Sequence, residues 1–226
     1  MIPIRDNVPT RHFPIVTLGL IIANVLVFLL YQAPDLDASV NRLAFHPCEV
    51  VDRCPVIGED WPPTVFTSMF LHGDLLHLGG NMLFLWVFGN NVEDAMGPVR
   101  YLVFYLLGGL AATALQTVVT LETASAQAAA VPNLGASGAI SAVLGAYFVL
   151  LPHAKVLTLV FIVLIEVPAV VFLGIYFVFQ AWQANFQLEN PPESGGVAVF
   201  AHLGGIVFGL LTVRIFRTRR PVEPLY

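Results

Sequence analysis

Six charge-poor apolar segments follow one another along this chain. A helix needs about 20 mostly apolar residues to cross the hydrocarbon core of a bilayer. Windows of roughly that size lie at residues 14–31, 75–92, 101–120, 136–151, 167–182 and 197–216. Only 11% of the 226 residues are charged, and the mean hydropathy is +0.79, which leaves too little polar material for the surface of a water-soluble domain. The sequence therefore predicts an all-α polytopic membrane protein with six transmembrane helices.

The fifth segment is ambiguous, because the apolar stretch 156–186 is interrupted by Glu166, Val167 and Pro168. Proline suits the first turn of a helix, and glutamate near a helix N-terminus suits the helix dipole. We therefore predict a spanning helix at 167–182 and an interfacial segment at 156–165. The alternative is one tilted helix with Glu166 inside the membrane, where an ionisable residue is a functional candidate.

The basic residues predict the orientation of the helices. Cytoplasmic connections are enriched in Lys and Arg, and with the N-terminus inside, eight of the ten basic residues face the cytoplasm. Both termini are then cytoplasmic, and the second, fourth and sixth helices enter from the outer face. We expect a single membrane domain over residues 1–226, with a core at about 66–216 and short cytoplasmic tails at 1–13 and 217–226.

Five polar residues interrupt the predicted spans at a similar depth. They are His77 and Asn81 in the second span, Ser137 and Ser141 in the fourth, and His202 in the sixth. At 1.5 Å of rise per residue, all lie within roughly 10 Å of the outer boundary. Because polar groups inside a membrane are costly and usually functional, we expect these residues to form one site.

Helical spacing supports a shared site. His77 and Asn81 are four residues apart and lie on one helix face. Two other faces are lined by small residues, Ser137, Ser141 and Gly145 on the fourth helix and Gly205 and Gly209 beside His202 on the sixth. Small residues let helix backbones approach closely, which would bring the Ser137 hydroxyl to His202. A histidine within about 3 Å is the commonest base for activating a serine.

Three motifs resemble the rhomboid family of intramembrane serine proteases. They are FTSMFLHGDLLHLGGNMLFLWVFGNNVEDAMG at 66–97, LGASGAISAVLGAY at 134–147 and AHLGGIVFG at 201–209. A lone G-x-S-G is weak, but H-x-x-x-N, G-x-S-G and A-H-x-x-G-x-x-x-G in this order on separate spans is specific. The resemblance implies a six-helix bundle in which Ser137 is the nucleophile and His202 the general base, with no acidic third member.

The resemblance also implies roles for residues around this pair. His77 and Asn81 match the side chains that stabilise the oxyanion, together with the Ser137 backbone amide. Four further positions are expected to support the site structurally: Gly135, Gly138, His72 and Gly205. Many relatives carry an aromatic residue four positions after the serine, stacked on the histidine. This chain has Ser141 there, so another group must orient His202.

The first outer connection also departs from the family pattern. It lacks a Trp-Arg pair found in several members and carries Cys48 and Cys54 instead. A local disulfide and two free thiols are equally compatible with the sequence. The connection 183–196 is rich in proline and glycine at its end, and we expect it to act as a cap whose displacement admits substrate.

The sequence thus predicts a serine endopeptidase that hydrolyses peptide bonds in or near transmembrane helices of other membrane proteins. The expected partners are transmembrane substrates and the lipid bilayer, with no metal, no organic cofactor and no nucleic acid, since the net charge is −5 and no basic stripe is present. The alternatives are a catalytically silent rhomboid-like binder of membrane proteins and a small transporter that uses His77, His202 and Glu166 as a relay.

The remaining expectation concerns the membrane itself. The short tails and the lack of an evident transit peptide favour a bacterial cytoplasmic membrane, with the active site near the outer face.

Overall fold

Helices make up most of the fold in a computed structural model of the chain, which describes residues 1–52, 54, 60–190 and 198–222. The longer helices are α1 (Ile15–Leu26, continued by a π-helical segment at Val27–Gln32), α4 (Leu75–Met96), α5 (Pro98–Thr123), α7 (Ser137–Leu150), α8 (Ala169–Glu189) and α9 (Val199–Phe216). The shorter helices are α2 (Leu36–Leu43), α3 (Trp61–Thr67) and α6 (Ala126–Ala129). The strands are β1 (Ile2–Asp6), β2 (Lys155–Val160) and β3 (Val163–Pro168).

Each of the six predicted spans corresponds to one of the longer helices. Among the described residues, four of these helices are long and apolar enough to cross a membrane: α1 with its π-helical extension, α5, α8 and α9. Helix α7 is apolar but has only 14 residues. It is buried over almost its whole length, as expected for a helix that is apolar on all sides and surrounded by other helices.

A three-stranded antiparallel sheet, in the order β1-β2-β3, corrects the all-α prediction. Strands β2 and β3 form a hairpin where an interfacial segment was predicted at 156–165, and β1 comes from the predicted N-terminal tail and pairs with β2, Ile2 opposite Leu159. Six of the ten residues from 156 to 165 are β-branched, and such residues favour strands. A continuous apolar run does not by itself distinguish a buried strand from a helix.

Glu166 lies in β3 and not inside a membrane helix. Its side chain is 58% exposed, and its Oε2 is 3.4 Å from Lys155 Nζ on β2. The alternative of one tilted helix that carries Glu166 into the membrane is therefore wrong. Helix α8 begins at Ala169, with Pro168 as its N-cap residue, two residues later than the predicted start at 167.

The closest helix pair is α7 and α9, which pack backbone against backbone. A Cβ atom on Gly205 would overlap the carbonyl oxygen of Gly138, and one on Gly209 would overlap that of Ala142. Gly145 on α7 likewise faces the backbone of α9. Small-residue faces of this kind allow two helix axes to approach more closely than larger side chains permit. The first turns of α7 and α9 are therefore held side by side.

Arg11 and Arg220, which are near the two ends of the chain, lie at the opposite end of the bundle from these first turns. Arg11 Nη1 donates to the carbonyl oxygen of Arg220 at 2.9 Å and lies 3.2 Å from Asp94 Oδ2 at the end of α4. The neighbouring Glu93 accepts from the backbone N–H of Thr17 at 2.8 Å, in the first turn of α1. A carboxylate there satisfies free N–H groups and suits the helix dipole. Hydrogen bonds thus link residues near both termini, the sheet and the end of α4.

Two connections at the other end were singled out by the sequence. Cys48 and Cys54 are joined by a disulfide, so the free-thiol alternative does not apply. The predicted cap at 183–196 is only partly described: residues 183–189 form the last turns of α8, and residues 191–197 lie outside the described residues.

Candidate active site

Ser137 and His202 come from different helices and meet at one end of the bundle. Ser137 is the first residue of α7, and His202 lies in the first turn of α9. His202 Nε2 is 2.9 Å from Ser137 Oγ. The close packing of α7 on α9 explains this contact, because it holds the two first turns side by side. The structure therefore brings together the two residues that the sequence assigned as nucleophile and base.

The other ring nitrogen of His202 contacts Gln180, a residue that the sequence patterns did not indicate. Gln180 Oε1 of α8 is 2.9 Å from His202 Nδ1, and the residue is only 5% exposed. An amide oxygen only accepts hydrogen bonds, so Nδ1 carries the proton and the lone pair of Nε2 faces Ser137. A glutamine inside an otherwise apolar span was the available signal, because polar residues are costly there.

Ser137 and His202 line a cavity of about 670 Å³ between the helices. This volume is in the range of ordinary ligand pockets. Its polar lining includes His77, Asn81 and Ser141, and its apolar lining includes residues such as Phe84 and Leu144. The cavity therefore combines the residues that the sequence grouped into one site with apolar space beside the serine.

His77 directs an N–H group into the space beside Ser137. The backbone N–H of Gly73 donates to His77 Nδ1 at 3.3 Å, so the proton of the neutral ring is on Nε2. Gly135 has a φ of +123°, and a Cβ atom there would lie 3.0 Å from His77 Nε2 and 3.5 Å from Ser137 Oγ. A side chain at this position would be strained and would fill that space. Glycine at 135 thus keeps the space beside both groups open.

Asn81 adds a second donor to the cavity. It lies one turn after His77 on α4 and is 8% exposed, and its Nδ2 has no hydrogen-bond partner among the described residues. A buried N–H group without a partner costs about 1–3 kcal/mol, which a ligand that accepts this hydrogen bond would recover. The free N–H groups at the start of α7 are a third source of donors. The site can therefore stabilise negative charge beside Ser137.

The remaining predicted site residues lie around this core. His72 is fully buried, and its ring packs edge-on against His77 with centroids 5.0 Å apart. Burial lowers the pKa of His72 to about 4, so the ring is neutral at neutral pH. The Gln32 side chain binds the backbone of His72: its Nε2 donates to the carbonyl oxygen at 3.0 Å, and its Oε1 accepts from the backbone N–H at 2.9 Å. Gly138 and Gly205 face each other in the α7–α9 contact.

Comparisons with known proteins point to a single family. The family model described as Rhomboid domain matches residues 60–219. Among curated proteins, the chain is 28% identical to the human presenilin-associated rhomboid-like protein, mitochondrial, over 92% of this chain and 51% of that protein. It is 31% identical to rhomboid protein 1, mitochondrial, of Saccharomyces cerevisiae, over 83% of this chain and 49% of that protein. It is 30% identical to RHOMBOID-like protein 12, mitochondrial, of Arabidopsis thaliana, over 82% of this chain and 56% of that protein.

These relatives correct the predicted location. All three carry mitochondrial names, so the prediction of a bacterial cytoplasmic membrane is wrong. The chain spans about half the length of the curated relatives it matches. Short terminal segments therefore carry no information about which membrane holds the protein.

Proposed function

Because the chain belongs to the rhomboid family, we propose that it is an intramembrane serine protease. It hydrolyses peptide bonds in or near the transmembrane helices of other membrane proteins. The observation that carries this proposal is the 2.9 Å contact between Ser137 Oγ and His202 Nε2 beside a cavity of about 670 Å³. A serine is a weak nucleophile until a base accepts its proton, and this contact provides the base.

The proposed architecture is one domain over residues 1–226, with a core at about 66–216, that crosses the membrane six times. Both termini lie on the membrane face opposite the active site, which the fastening of Arg11 to Arg220 and Asp94 at the far end of the bundle supports. On the names of the mitochondrial relatives, we propose a mitochondrial membrane as the location. The expected partners are transmembrane substrates and the surrounding lipid.

In the proposed mechanism, Ser137 Oγ attacks the carbonyl carbon of the scissile bond while His202 Nε2 accepts the hydroxyl proton. The oxygen of the tetrahedral intermediate then receives hydrogen bonds from His77 Nε2, Asn81 Nδ2 and the backbone N–H at the start of α7. His202 returns its proton to the leaving amine, which breaks the C–N bond and leaves an acyl-enzyme on Ser137. A water molecule, deprotonated by His202, hydrolyses this ester and restores both residues.

The substrate must present an extended segment to this site. In a transmembrane helix the backbone is hydrogen-bonded to itself, and lipid offers no replacement partners. Local unwinding is easiest where glycine or proline already weakens the helix. The position of Ser137 as the first residue of α7 suits cleavage near a membrane surface, where water for deacylation is available. We therefore expect substrates with helix-weakening residues near one end of their transmembrane helix.

The transporter alternative is disfavoured by the position of Glu166. A proton relay through His77, His202 and Glu166 needs these groups close together, whereas Glu166 pairs with Lys155 on the exposed hairpin. The hairpin follows the C-terminal end of α7, while His77 and His202 lie near the N-terminal ends of their helices. The silent-binder alternative is tested by experiment, because such a protein would bind a substrate helix without cutting it.

The purified full chain in liposomes tests this function with a reporter that contains one transmembrane helix. The reporter carries glycine and proline near one end of the helix, and a second reporter carries leucine at those positions. We expect wild type to cut the first reporter much faster than the second, and Ser137→Ala to cut neither. Equal cleavage by wild type and Ser137→Ala would contradict the proposal, and binding without cleavage would favour the silent binder.

Asn81→Ala is expected to lower kcat about 10²-fold while KM changes little. A donor of this kind acts on the charge that develops in the transition state and not on the bound substrate. His77→Ala is expected to behave in the same way. Steady-state kinetics with the liposome reporter measure both values, with Asn90→Ala at the far end of α4 as the matched control. A rise in KM at unchanged kcat would assign Asn81 to substrate binding instead.

A further inference from the structure

Gln180 is an unusual residue for its position in the fold. It lies within α8, which is long and apolar enough to cross a membrane, and it is 5% exposed. A buried amide costs free energy unless it is hydrogen-bonded, and leucine would avoid that cost. The hydrogen bond that the structure gives its Oε1 is to His202 Nδ1, at 2.9 Å. Gln180 is therefore tied directly to the proposed base.

This bond matters for the chemistry because a neutral histidine has two tautomers. Only the form with the proton on Nδ1 has a lone pair on Nε2, the nitrogen that faces Ser137 Oγ at 2.9 Å. The other tautomer would point an N–H group at the serine and could not accept its proton. An acceptor at Nδ1 selects the reactive tautomer and also fixes the rotation of the ring.

We propose that Gln180 is a positioning residue, which holds His202 in the tautomer and orientation that accept the Ser137 proton. This inference rests on the proposed function, because it assigns His202 as the base. Ser141 stands where many relatives carry an aromatic residue that stacks on the histidine, and it packs against Gly205 of α9. Gln180 therefore supplies the orientation of His202 that such an aromatic residue would provide. Here the ring is held by a hydrogen bond from a third helix.

An amide suits this role in a membrane interior. A carboxylate at the same place would also accept from Nδ1, but it would add a charge to a region enclosed by apolar helices, where ionised groups are costly. The amide oxygen provides the acceptor without that charge. Because Ser137, Gln180 and His202 come from α7, α8 and α9 respectively, all three helices must be in place for the pair to be aligned.

Two substitutions separate this role from a packing role. Gln180→Leu removes the acceptor, and Gln180→Glu keeps an acceptor oxygen at the same position while it removes the amide N–H. We expect Gln180→Leu to lower kcat at least about 10-fold with KM within about twofold of wild type, since the ring loses its orientation but the cavity is unchanged. We expect Gln180→Glu to retain most of the wild-type kcat.

The experiment compares these variants in liposomes with the transmembrane reporter. Asn185→Leu, a polar-to-leucine change at an exposed position of the same helix, is the matched control and should behave as wild type. Thermal unfolding in detergent is measured for each variant. Gln180→Met also lacks the acceptor but keeps the side-chain length, so it should lose kcat to the same extent as Gln180→Leu; a wild-type kcat in Gln180→Met would assign the leucine effect to packing and overturn the positioning role.

The outcomes distinguish this inference from the proposed function. If wild type fails to cut, or if Ser137→Ala cuts as well as wild type, the proposed function is wrong and the inference falls with it. If wild type cuts and Ser137→Ala does not, the function stands. In that case, two results would overturn the positioning role alone. One is a Gln180→Leu kcat equal to wild type, and the other is a Gln180→Glu protein that unfolds at the wild-type Tm but has a kcat as low as that of Gln180→Leu.

Discussion

Replacing Ser137 by alanine is expected to lower the rate of reporter cleavage by at least about 10⁴-fold, and replacing His202 by alanine should have a similar effect. The reason is that the hydroxyl and the imidazole act as one unit, joined at 2.9 Å: the serine is a poor nucleophile without the base, and the base has no proton to accept without the serine. In serine proteases of other folds, removing one such residue costs about as much as removing the whole set.

The double variant Ser137→Ala/His202→Ala is therefore expected to be no slower than either single variant. Single-turnover cleavage of the liposome reporter, at matched protein concentration, measures all three rates. Ser39→Ala removes a different serine hydroxyl, which is buried on α2 and donates to the carbonyl oxygen of Leu36 away from the cavity, and should stay within about threefold of wild type. Effects that multiply in the double variant would mean that the two residues act independently, which would contradict a shared proton transfer.

Gly205→Val is expected to destabilise the protein by about 3 kcal/mol or more and to abolish cleavage. Even a single carbon at this position would overlap the carbonyl oxygen of Gly138 on α7. A backbone atom cannot move aside as a flexible side chain can, so α7 and α9 must separate, and overpacking of this kind is among the larger causes of destabilisation. The separation would also pull His202 away from Ser137.

Gly174→Val on α8 is the matched control, because a Cβ atom at Gly174 has no neighbouring atom within 4 Å. Thermal unfolding in detergent should show a clearly lower Tm for Gly205→Val and nearly the wild-type Tm for Gly174→Val. Cleavage should follow the same order. A Gly205→Val protein with the Tm and activity of wild type would show that α7 and α9 are not in the contact described.

The sequence carried enough information to predict the helices and the central pair of the site. Long apolar windows locate helices because a membrane span has a fixed length. The contact between Ser137 and His202 could be predicted because both are polar residues near the starts of apolar spans. Small residues follow them at helical spacing, and these indicate which helix faces pack together. Gly135 was also expected to support the site, but its backbone conformation, a φ of +123°, is known only from the folded chain.

Gln180 was not predicted because it lies late in its span, at a position where the other spans carry no site residue. Helix α8 starts at the sheet and runs toward the site, so its later residues lie near His202, whereas the site residues on α4, α7 and α9 are early ones. The sheet could not be predicted for a different reason. The β-branched residues of 156–165 favour strands, but an apolar run also suits a helix. The pairing of Ile2 with Leu159 joins two segments that are far apart in the sequence, and neither segment indicates its partner.

If Ser137 is the nucleophile and His202 its base, Ser137 must have the reactivity of an activated serine. An alkyl fluorophosphonate forms a covalent phosphonyl ester with a serine whose proton is accepted by a base, and ordinary serines react far more slowly. Mass spectrometry of the treated chain in liposomes locates the adduct. We expect one adduct, on Ser137 in wild type, and none in His202→Ala. An adduct on a different serine, or equal labelling of Ser137 in wild type and His202→Ala, would contradict the assignment of these two residues as nucleophile and base.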